Sequence, residues 1–195
     1  MSAPRRLWLV RHARPLIDAG VCYGASNVPA DEADTLRAAL TLAPQLPATA
    51  RLFMSGLGRA QQLAHALHAL RPELAPPICD PRLNEMDFGC HELARWDAIE
   101  RAAYDAWTAD FHAHRFGGRE SVAELLQRVA RALEAEQTRK ADEREADAVW
   151  VTHAGVIRAV QYLQTQPGRR PQASDWPTQA PGFGAWTCLN LSISV

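Results

Sequence analysis

Short apolar segments of about five residues recur along this chain, and most are followed by a stretch with helical spacing of apolar residues. The segments 6–10, 51–55 and 148–152 are apolar runs of strand length, which is typical of buried strands. Strands that alternate with helices favour a parallel sheet covered on both faces. The sequence therefore predicts an α/β fold, a three-layer α/β/α sandwich with a mostly parallel central sheet.

Five helices are predicted between these strands. The clearest follows Ser121-Val-Ala-Glu124, which has the form of a capping box in front of an apolar stripe. The other four are predicted over 32–42, 57–70, 92–107 and 155–163. A third strand is predicted over 76–80 and a closing strand over 186–195, with loops at 139–147 and 166–185. We expect a single domain over 1–195, with a small cap-like insertion at about 84–118.

The charge balance excludes several classes of protein. The 195 residues include 20 Arg but a single lysine, Lys140, and the net charge is −1. Such a chain lacks the basic field of a nucleic-acid-binding protein, and chemistry that requires a lysine is disfavoured. The cysteines show no zinc spacing, so free thiols in a reducing compartment are expected. With no signal peptide or membrane span predicted, we expect a cytoplasmic protein without nucleic-acid or membrane partners.

Polar groups of one chemical kind follow three of the predicted strands. Arg11 and His12 follow the first strand, Arg59 comes shortly after the second, and His153 follows the strand at 148–152. In open α/β sheets, functional groups gather at the carboxyl ends of the strands. If these strands are neighbours, the four side chains converge there. A single histidine after a strand is more often structural, so it is the joint pattern that indicates a site.

Two arginines, two histidines and the N-termini of helices together form an anion site. The planar guanidinium matches phosphate oxygens, and the free N–H groups of a helix N-terminus add favourable charge. Nearby guanidinium charge also favours the neutral imidazole, whose lone pair can act as a nucleophile toward phosphorus.

Four segments carry a resemblance to a known family. They are Leu9-Val-Arg-His-Ala13, Ser55-x3-Arg59-Ala-Gln61, Leu83-Asn-Glu85-x2-Phe-Gly89 and Val151-Thr-His-Ala-Gly-Val-Ile-Arg158. In order and spacing, over essentially the whole chain, they resemble the histidine phosphatase (phosphoglycerate mutase-like) superfamily. The first segment, together with Gly20-Val-Cys-Tyr-Gly-Ala-Ser26, is most similar to the α-ribazole-5′-phosphate phosphatases of cobalamin synthesis.

The resemblance implies a phosphoglycerate mutase-like fold and a role for each site residue. His12 is implied as the nucleophile that becomes phosphohistidine, and Arg11, Arg59 and His153 as groups that hold the phosphoryl oxygens. Glu85 is implied as the general acid for the leaving oxygen and then as the base for water. No metal or other cofactor is implied, because the arginines supply the positive charge. The implied partner is a small phosphorylated substrate.

The sequence departs from the family pattern at four places, one of which is the stretch 27–35, which lacks the usual leucine-threonine-glycine helix start. Ala13 stands where a glycine commonly follows the nucleophilic histidine, and Gly56 replaces the proline of Ser-Pro-Leu. The usual Phe-Gly-x-Trp-Glu-Gly is Phe88-Gly-Cys-His-Glu-Leu93 here, so only Glu92 survives of its last three residues. This last difference lies close in sequence to Glu85, the implied general acid, and therefore bears on the choice of substrate.

Several other features stay open at this stage. Asp87 competes with Glu85 as the acid, although the family position favours Glu85. The histidine pairs 112/114 and 65/68 lack a third metal ligand, so solvated surface is the better interpretation. An aromatic stripe of Trp96, Tyr104, Trp107 and Phe111 is more often ordinary core, but as a pocket wall it would suit a flat benzimidazole nucleoside.

Three functions remain in competition. The first is a metal-independent phosphomonoester hydrolase that acts through phosphohistidine on α-ribazole 5′-phosphate or another small ester. The second is a cofactor-dependent phosphoglycerate mutase, which the short chain disfavours. The third is a catalytically inactive phosphate-binding module, which retention of all five site residues disfavours. The closing strand could also be an edge available for pairing, so a homodimer is possible.

Overall fold

A five-stranded sheet forms the middle of the computed structural model, which describes residues 5–139 and 146–191. Its strands are β1 (Arg6–Arg11), β2 (Arg51–Met54), β3 (Ile78–Cys79), β4 (Ala148–Thr152) and β5 (Trp186–Asn190). Their spatial order is β3-β2-β4-β1-β5. Four strands are parallel and β5 pairs antiparallel with β1. The predicted mostly parallel sheet is confirmed.

Helices cover both faces of this sheet. They are α1 (Glu32–Leu42), α2 (Gly58–Leu70), α3 (Arg101–Ala109), α4 (Val122–Gln137) and α5 (Ala154–Thr165). Alternate residues of β1 enter opposite layers: Leu7 and Leu9 pack with α4 and α5, whereas Trp8 and Val10 pack with α1 and α2. The three-layer α/β/α sandwich is therefore confirmed, with apolar cores on both sides of the central strands.

The predicted helix over 92–107 is wrong in its first half. The segment instead forms short 3₁₀ turns, and α-helix begins only at Arg101. Leu93 has a left-handed backbone (φ 64°), which no helix accommodates. Val21 and Arg95 form an isolated antiparallel bridge, which fixes the segment beside the loop that follows β1. Long-range contacts therefore override the local helical pattern.

Other boundaries move by smaller amounts. Strand β3 shrinks to two residues, because the prolines at 76 and 77 have no N–H to donate to a sheet. The predicted strand over 186–195 is observed as far as Asn190, and residues 192–195 lie outside the described residues. So do residues 140–145 of the predicted loop at 139–147. The cap-like insertion at 84–118 stays a prediction; the segment holds α3 and three 3₁₀ turns.

Within the described ranges, none of the helices has both the length and the apolar character needed to cross a bilayer.

Candidate active site

Three neighbouring strands end at one edge of the sheet and bring the predicted site residues together. Arg11 is in register with Thr152, and the N–H of Ser55 bonds to the carbonyl of Val151. His12 and His153, one residue beyond β1 and β4, lie with ring centroids 5.0 Å apart. This is the arrangement expected at the carboxyl ends of parallel strands.

The protonation pattern of the His12 ring follows from one hydrogen bond. Its Nδ1 lies 2.7 Å from the carbonyl oxygen of Ala13. A carbonyl only accepts, so Nδ1 carries the hydrogen and Nε2 carries the lone pair. His12 is buried yet lines the cavity described below, which leaves Nε2 as the nitrogen available for attack on a bound group.

Burial and neighbouring charge keep this ring neutral. Desolvation is the largest cause, and the positive charges of Arg59 and Arg11 act in the same direction. They outweigh the bond to Ala13 and lower the pKa of His12 to about 3. A neutral imidazole with a free lone pair is the form that nucleophilic catalysis requires.

His153 is fully buried beside the His12 ring, and within the described residues its nitrogen without a hydrogen bond is Nδ1, whereas in His12 it is Nε2. Nε2 of His153 lies 2.8 Å from Oγ of Ser55, whereas Nδ1 has no hydrogen-bond partner among the described residues. Burial, followed by the proximity of the His12 ring and the charge of Arg59, holds the pKa of His153 well below its ordinary value. An anion bound between these rings would reverse that effect by stabilising an added proton.

Arg59 is fully buried in the first turn of α2, and main-chain carbonyls orient it. Its Nη1 donates to Ser26 O (2.7 Å) and its Nη2 to Gly24 O (2.6 Å), while Nε has no partner among the described residues. Burial lowers the pKa of Arg59, but the charge of Glu85 opposes this, and a guanidinium stays protonated. The site therefore contains a fixed positive charge without a carboxylate bonded to it.

Arg11 supplies the second fixed charge. Its Nη1 donates to the carbonyl of Pro181 (3.1 Å), and its Cζ lies 4.0 Å from the ring centroid of Phe183. Its buried Nε lacks a partner within the described part of the chain. Burial lowers the pKa of Arg11, an effect opposed by the neighbouring Tyr23 side chain and by the charge of Glu85. The unbonded N–H groups of both arginines are suited to phosphate oxygens.

Glu85, not Asp87, lies at the cavity that contains His12. Its Oε2 accepts from the N–H of Gly155 at 3.0 Å, at the N-terminus of α5. Asp87 instead accepts from the N–H of Gly89 and pairs with Arg119 on the neighbouring surface. The five predicted residues thus come together, and the competing carboxylate stands apart.

The cavity has a volume of about 350 Å³, within the range of roughly 300–1,000 Å³ for small-molecule sites. Arg11, His12, Glu85 and Arg158 line its polar end. The remainder is mostly apolar and aromatic, formed by Val21, Tyr23, Met86, Phe88, Trp96, Trp107, Phe111, Val122, Leu125 and Trp176, with Ala154 and Gly155 of α5. Three of the four predicted wall aromatics take part. Tyr104 does not; its hydroxyl donates to the carbonyl of Trp96.

Sequence reasoning assigned no role to four residues that shape this site. Tyr23 and Arg158 line the cavity, and both stand in the quoted family segments, so that signal was available. Phe183 lies over Arg11 and 5.6 Å from the His12 ring, but it comes from a loop without local pattern. Glu92, noted only as a surviving motif residue, binds the loop whose carbonyls hold Arg59.

Within the described residues, neither the 112/114 nor the 65/68 histidine pair has a third metal-ligating side chain beside it. No group of three metal-ligating side chains occurs within residues 5–139 and 146–191.

The comparisons with known proteins agree with this geometry. The family model of the histidine phosphatase superfamily (branch 1) matches residues 7–178, so the chain belongs to this superfamily. A protein from Thermus thermophilus is 30% identical, with a TM-score of 0.67 over 94% of this chain and 92% of that one. A mycobacterial glucosyl-3-phosphoglycerate phosphatase is 25% identical, with a TM-score of 0.75 over 95% and 90%. Among curated proteins, none matches this chain.

Proposed function

We propose that this protein is a phosphomonoester hydrolase that acts through a phosphohistidine on His12. One observation carries the proposal: the neutral His12 ring, with Nε2 free, shares one cavity with Arg11 and Glu85, while Arg59 lies beside it. Membership in the histidine phosphatase superfamily supports the same chemistry.

In the first step, Nε2 of His12 attacks phosphorus and the bond from phosphorus to the ester oxygen breaks. Arg11, Arg59 and His153 stabilise the charge on the three transferring oxygens. Glu85 donates its proton to the departing oxygen, so the alcohol leaves neutral. The products of this step are phosphohistidine, a carboxylate at Glu85 and the free alcohol.

In the second step, the Glu85 carboxylate removes a proton from water as the water oxygen attacks phosphorus. The bond from phosphorus to Nε2 breaks, inorganic phosphate forms, and Glu85 and His12 return to their starting states. The bond from the Gly155 N–H to Oε2 keeps the carboxyl group near the substrate in both steps. Charge from the arginines carries both steps without a metal ion.

We further propose α-ribazole 5′-phosphate as the substrate. Beyond the polar end, the cavity wall is mostly aromatic and apolar, which suits a flat heteroaromatic leaving group better than a sugar acid. The similarity of 9–26 to phosphatases of cobalamin synthesis supports this choice. Glucosyl-3-phosphoglycerate, the substrate named for the mycobacterial neighbour, is the strongest rival.

The test is phosphate release from a panel of esters, measured in the presence of EDTA with wild type and His12→Ala. The panel contains α-ribazole 5′-phosphate, glucosyl-3-phosphoglycerate and 3-phosphoglycerate. We expect hydrolysis that is fastest with α-ribazole 5′-phosphate and absent in His12→Ala. Faster hydrolysis of another ester would refute α-ribazole 5′-phosphate as the substrate and identify that ester in its place. Absence of hydrolysis, followed by isomerisation of 3-phosphoglycerate after priming with bisphosphoglycerate, would establish a mutase.

Trp107→Ala tests the aromatic wall separately. We expect KM for α-ribazole 5′-phosphate to rise roughly 5-fold or more, since stacking on an aromatic ring contributes about 1 kcal/mol. KM for glycerol phosphate, which has no ring, serves as the control and should stay unchanged. An unchanged KM for both esters would refute the inference that the aromatic cavity wall binds the leaving group.

Two further expectations complete the proposal: the protein acts in the cytoplasm, and it forms a homodimer through the exposed edge strand β5. Sedimentation of the purified chain tests the second, because a monomer at micromolar concentration contradicts it.

A further inference from the structure

A chain of three hydrogen-bonded polar side chains, the fully buried His153 and Ser55 and the half-buried Asn84, leads away from the phosphate site. Oγ of Ser55 lies 2.8 Å from Nε2 of His153 and 2.9 Å from Oδ1 of Asn84. Ser55 and His153 are both fully buried. The chemistry proposed above assigns nothing to Ser55 or Asn84, yet their hydrogen bonds determine the state of the His153 ring.

The direction of each hydrogen bond in this chain follows from the donors at its far end. The main-chain N–H of Gly56 donates to Oδ1 of Asn84 at 2.7 Å, which identifies that atom as the amide oxygen. The Asn84 oxygen cannot donate, so the hydroxyl of Ser55 must donate to it. The single hydrogen of Ser55 is then used.

Both lone pairs of the Ser55 oxygen are therefore acceptors. One accepts from the N–H of Leu57 at 3.1 Å. The other can only accept from His153, so Nε2 of His153 must carry a hydrogen. The ring then has one nitrogen fixed as a donor, and its unpartnered Nδ1 is left to the phosphate site.

We propose that Asn84 and Ser55 are positioning residues that hold His153 as the Nε2–H tautomer and leave Nδ1 for a phosphoryl oxygen. The role rests on the proposed function. When a monoprotonated phosphate ester binds, its proton passes to Nδ1. The ester becomes a dianion and His153 becomes an imidazolium. Nδ1–H then donates to the phosphoryl oxygen, and Nε2–H continues to donate to Ser55.

The two histidines have opposite tautomers and therefore different roles in the site. His12 carries its hydrogen on Nδ1 and presents a bare Nε2 for attack. His153 carries its hydrogen on Nε2 and presents Nδ1 for binding. A His153 ring with the other tautomer would leave the Ser55 oxygen without its second donor, in a place that water does not reach.

The test is ¹⁵N–¹H NMR of the histidine rings in the unliganded protein, with His153 assigned by comparison with His153→Gln. We expect a hydrogen on Nε2 and a bare Nδ1 for His153, and the reverse for His12. A hydrogen on Nδ1 of His153 overturns the proposal. Because no turnover is needed, this measurement does not depend on whether the protein hydrolyses any ester.

Two variants at position 84 then separate positioning from simple structural support. In Asn84→Leu, the Ser55 hydroxyl is free to donate to Nε2, so the Nδ1–H tautomer of His153 should become populated. Asn84→Asp keeps an acceptor and should keep the wild-type tautomer. We expect kcat of Asn84→Leu to fall roughly 5- to 100-fold with little change in KM, and Asn84→Asp to retain most of it. The Gly56 N–H is exposed, so water can replace its lost acceptor.

Ser55→Ala adds a second test, because it removes the acceptor of Nε2–H. It should lower kcat by a similar factor. Reduced activity in Asn84→Leu with an unchanged tautomer would overturn the positioning role, as would wild-type kcat in both Asn84→Leu and Ser55→Ala. The expected tautomers in a protein without phosphatase activity would support the hydrogen-bond assignment and refute the proposed function.

Discussion

Replacement of Glu92 by glutamine should destabilise the protein, because the Glu92 carboxylate joins two loops at the site. Oε1 accepts from the N–H groups of Gly24, Ala25 and Phe88 at 3.1, 2.9 and 3.0 Å. Oε2 accepts from Gly24 again and from the N–H and hydroxyl of Ser26. Four main-chain N–H groups therefore share this one carboxylate as their acceptor.

The magnitude follows from counting the donors that lose an acceptor. In Glu92→Gln, one oxygen becomes an NH₂ group, which cannot accept. With that group on the Ser26 side, the Ser26 N–H loses its acceptor, while Gly24 keeps the remaining oxygen and the hydroxyl can turn to accept. A donor without a partner costs about 1–3 kcal/mol when it is fully buried, and the half-buried Ser26 N–H falls at the lower end of that range; the weaker neutral acceptor adds to this. We therefore expect a loss of about 2 kcal/mol.

The loss should depend on pH. Burial alone would raise the pKa of Glu92, but hydrogen bonds from Ser26, Phe88, Gly24 and Ala25 outweigh it and hold the pKa below its ordinary value. A carboxyl with a lowered folded-state pKa stabilises the protein above its unfolded pKa, and this contribution disappears as the pH falls through the folded value. The difference between wild type and Glu92→Gln should therefore be full at pH 7 and shrink in acid.

The assay is urea unfolding of wild type, Glu92→Gln and Glu134→Gln at pH 7 and at a series of lower pH values. Glu134 is exposed on α4, so Glu134→Gln makes the same charge change without the loss of hydrogen bonds from main-chain N–H groups. It should differ from wild type by less than about 0.5 kcal/mol. Equal stabilities for the two variants, or a difference that does not change with pH, would refute the reasoning.

Three further predictions concern single residues. Leu93→Gly should raise the free energy of unfolding by about 1 kcal/mol, measured by thermal unfolding, because the exposed Leu93 has a left-handed backbone that glycine adopts without strain. Leu93→Ala keeps a Cβ and should leave the free energy of unfolding unchanged. Gly155→Ala should fold normally by circular dichroism but lose most of its kcat, because the added Cβ would lie 3.0 Å from Cδ of Glu85 and displace the carboxyl group. The pKa of His12 is lowered to about 3 in the folded protein. Near pH 6.5 the unfolded chain therefore binds a proton on this residue, whereas the native ring stays neutral. Wild type should therefore lose stability relative to His12→Gln as the pH falls from about 6.5 toward 3, and parallel pH curves for the two would contradict the buried neutral ring.

The sheet and the edge that carries the site residues could be predicted because the signals are local. Strands β1 and β4 are buried on both faces, so their sequences are continuous apolar runs that end at the polar groups of the site. Parallel strands place these ends together, which is why Arg11, His12 and His153 could be grouped from the sequence alone. Arg59 followed for the same reason, since it comes in the first turn after the next strand.

The segment after Gly89 could not be predicted in the same way. Its aromatic spacing favours a helix, but the Glu92 side chain bonds to the N–H groups of 24–26, and Leu93 must turn left-handed. Both constraints come from residues about 70 positions earlier in the chain. The family motif carried one usable signal, because glycine is usual at position 93 and glycine adopts a positive φ without strain.

The contact of Phe183 with Arg11 had no signal of any kind. It lies in a loop rich in proline and glycine, whose path is set by the bonds from the Gly184 N–H to the carbonyls of Arg11 and His12. Side chains that reach a site from such a loop are found only when the whole fold is known.

The most direct test of the central claim is to trap the phosphoenzyme. Glu85→Gln removes the base for the second step, so with an aryl phosphate, whose leaving group needs little protonation, the intermediate should accumulate. We predict that intact-protein mass spectrometry shows one added phosphoryl group, that fragmentation places it on His12, and that the double variant with His12→Ala shows none. Hydrolysis without a phosphoenzyme, or a phosphoryl group on any other residue, would contradict the account.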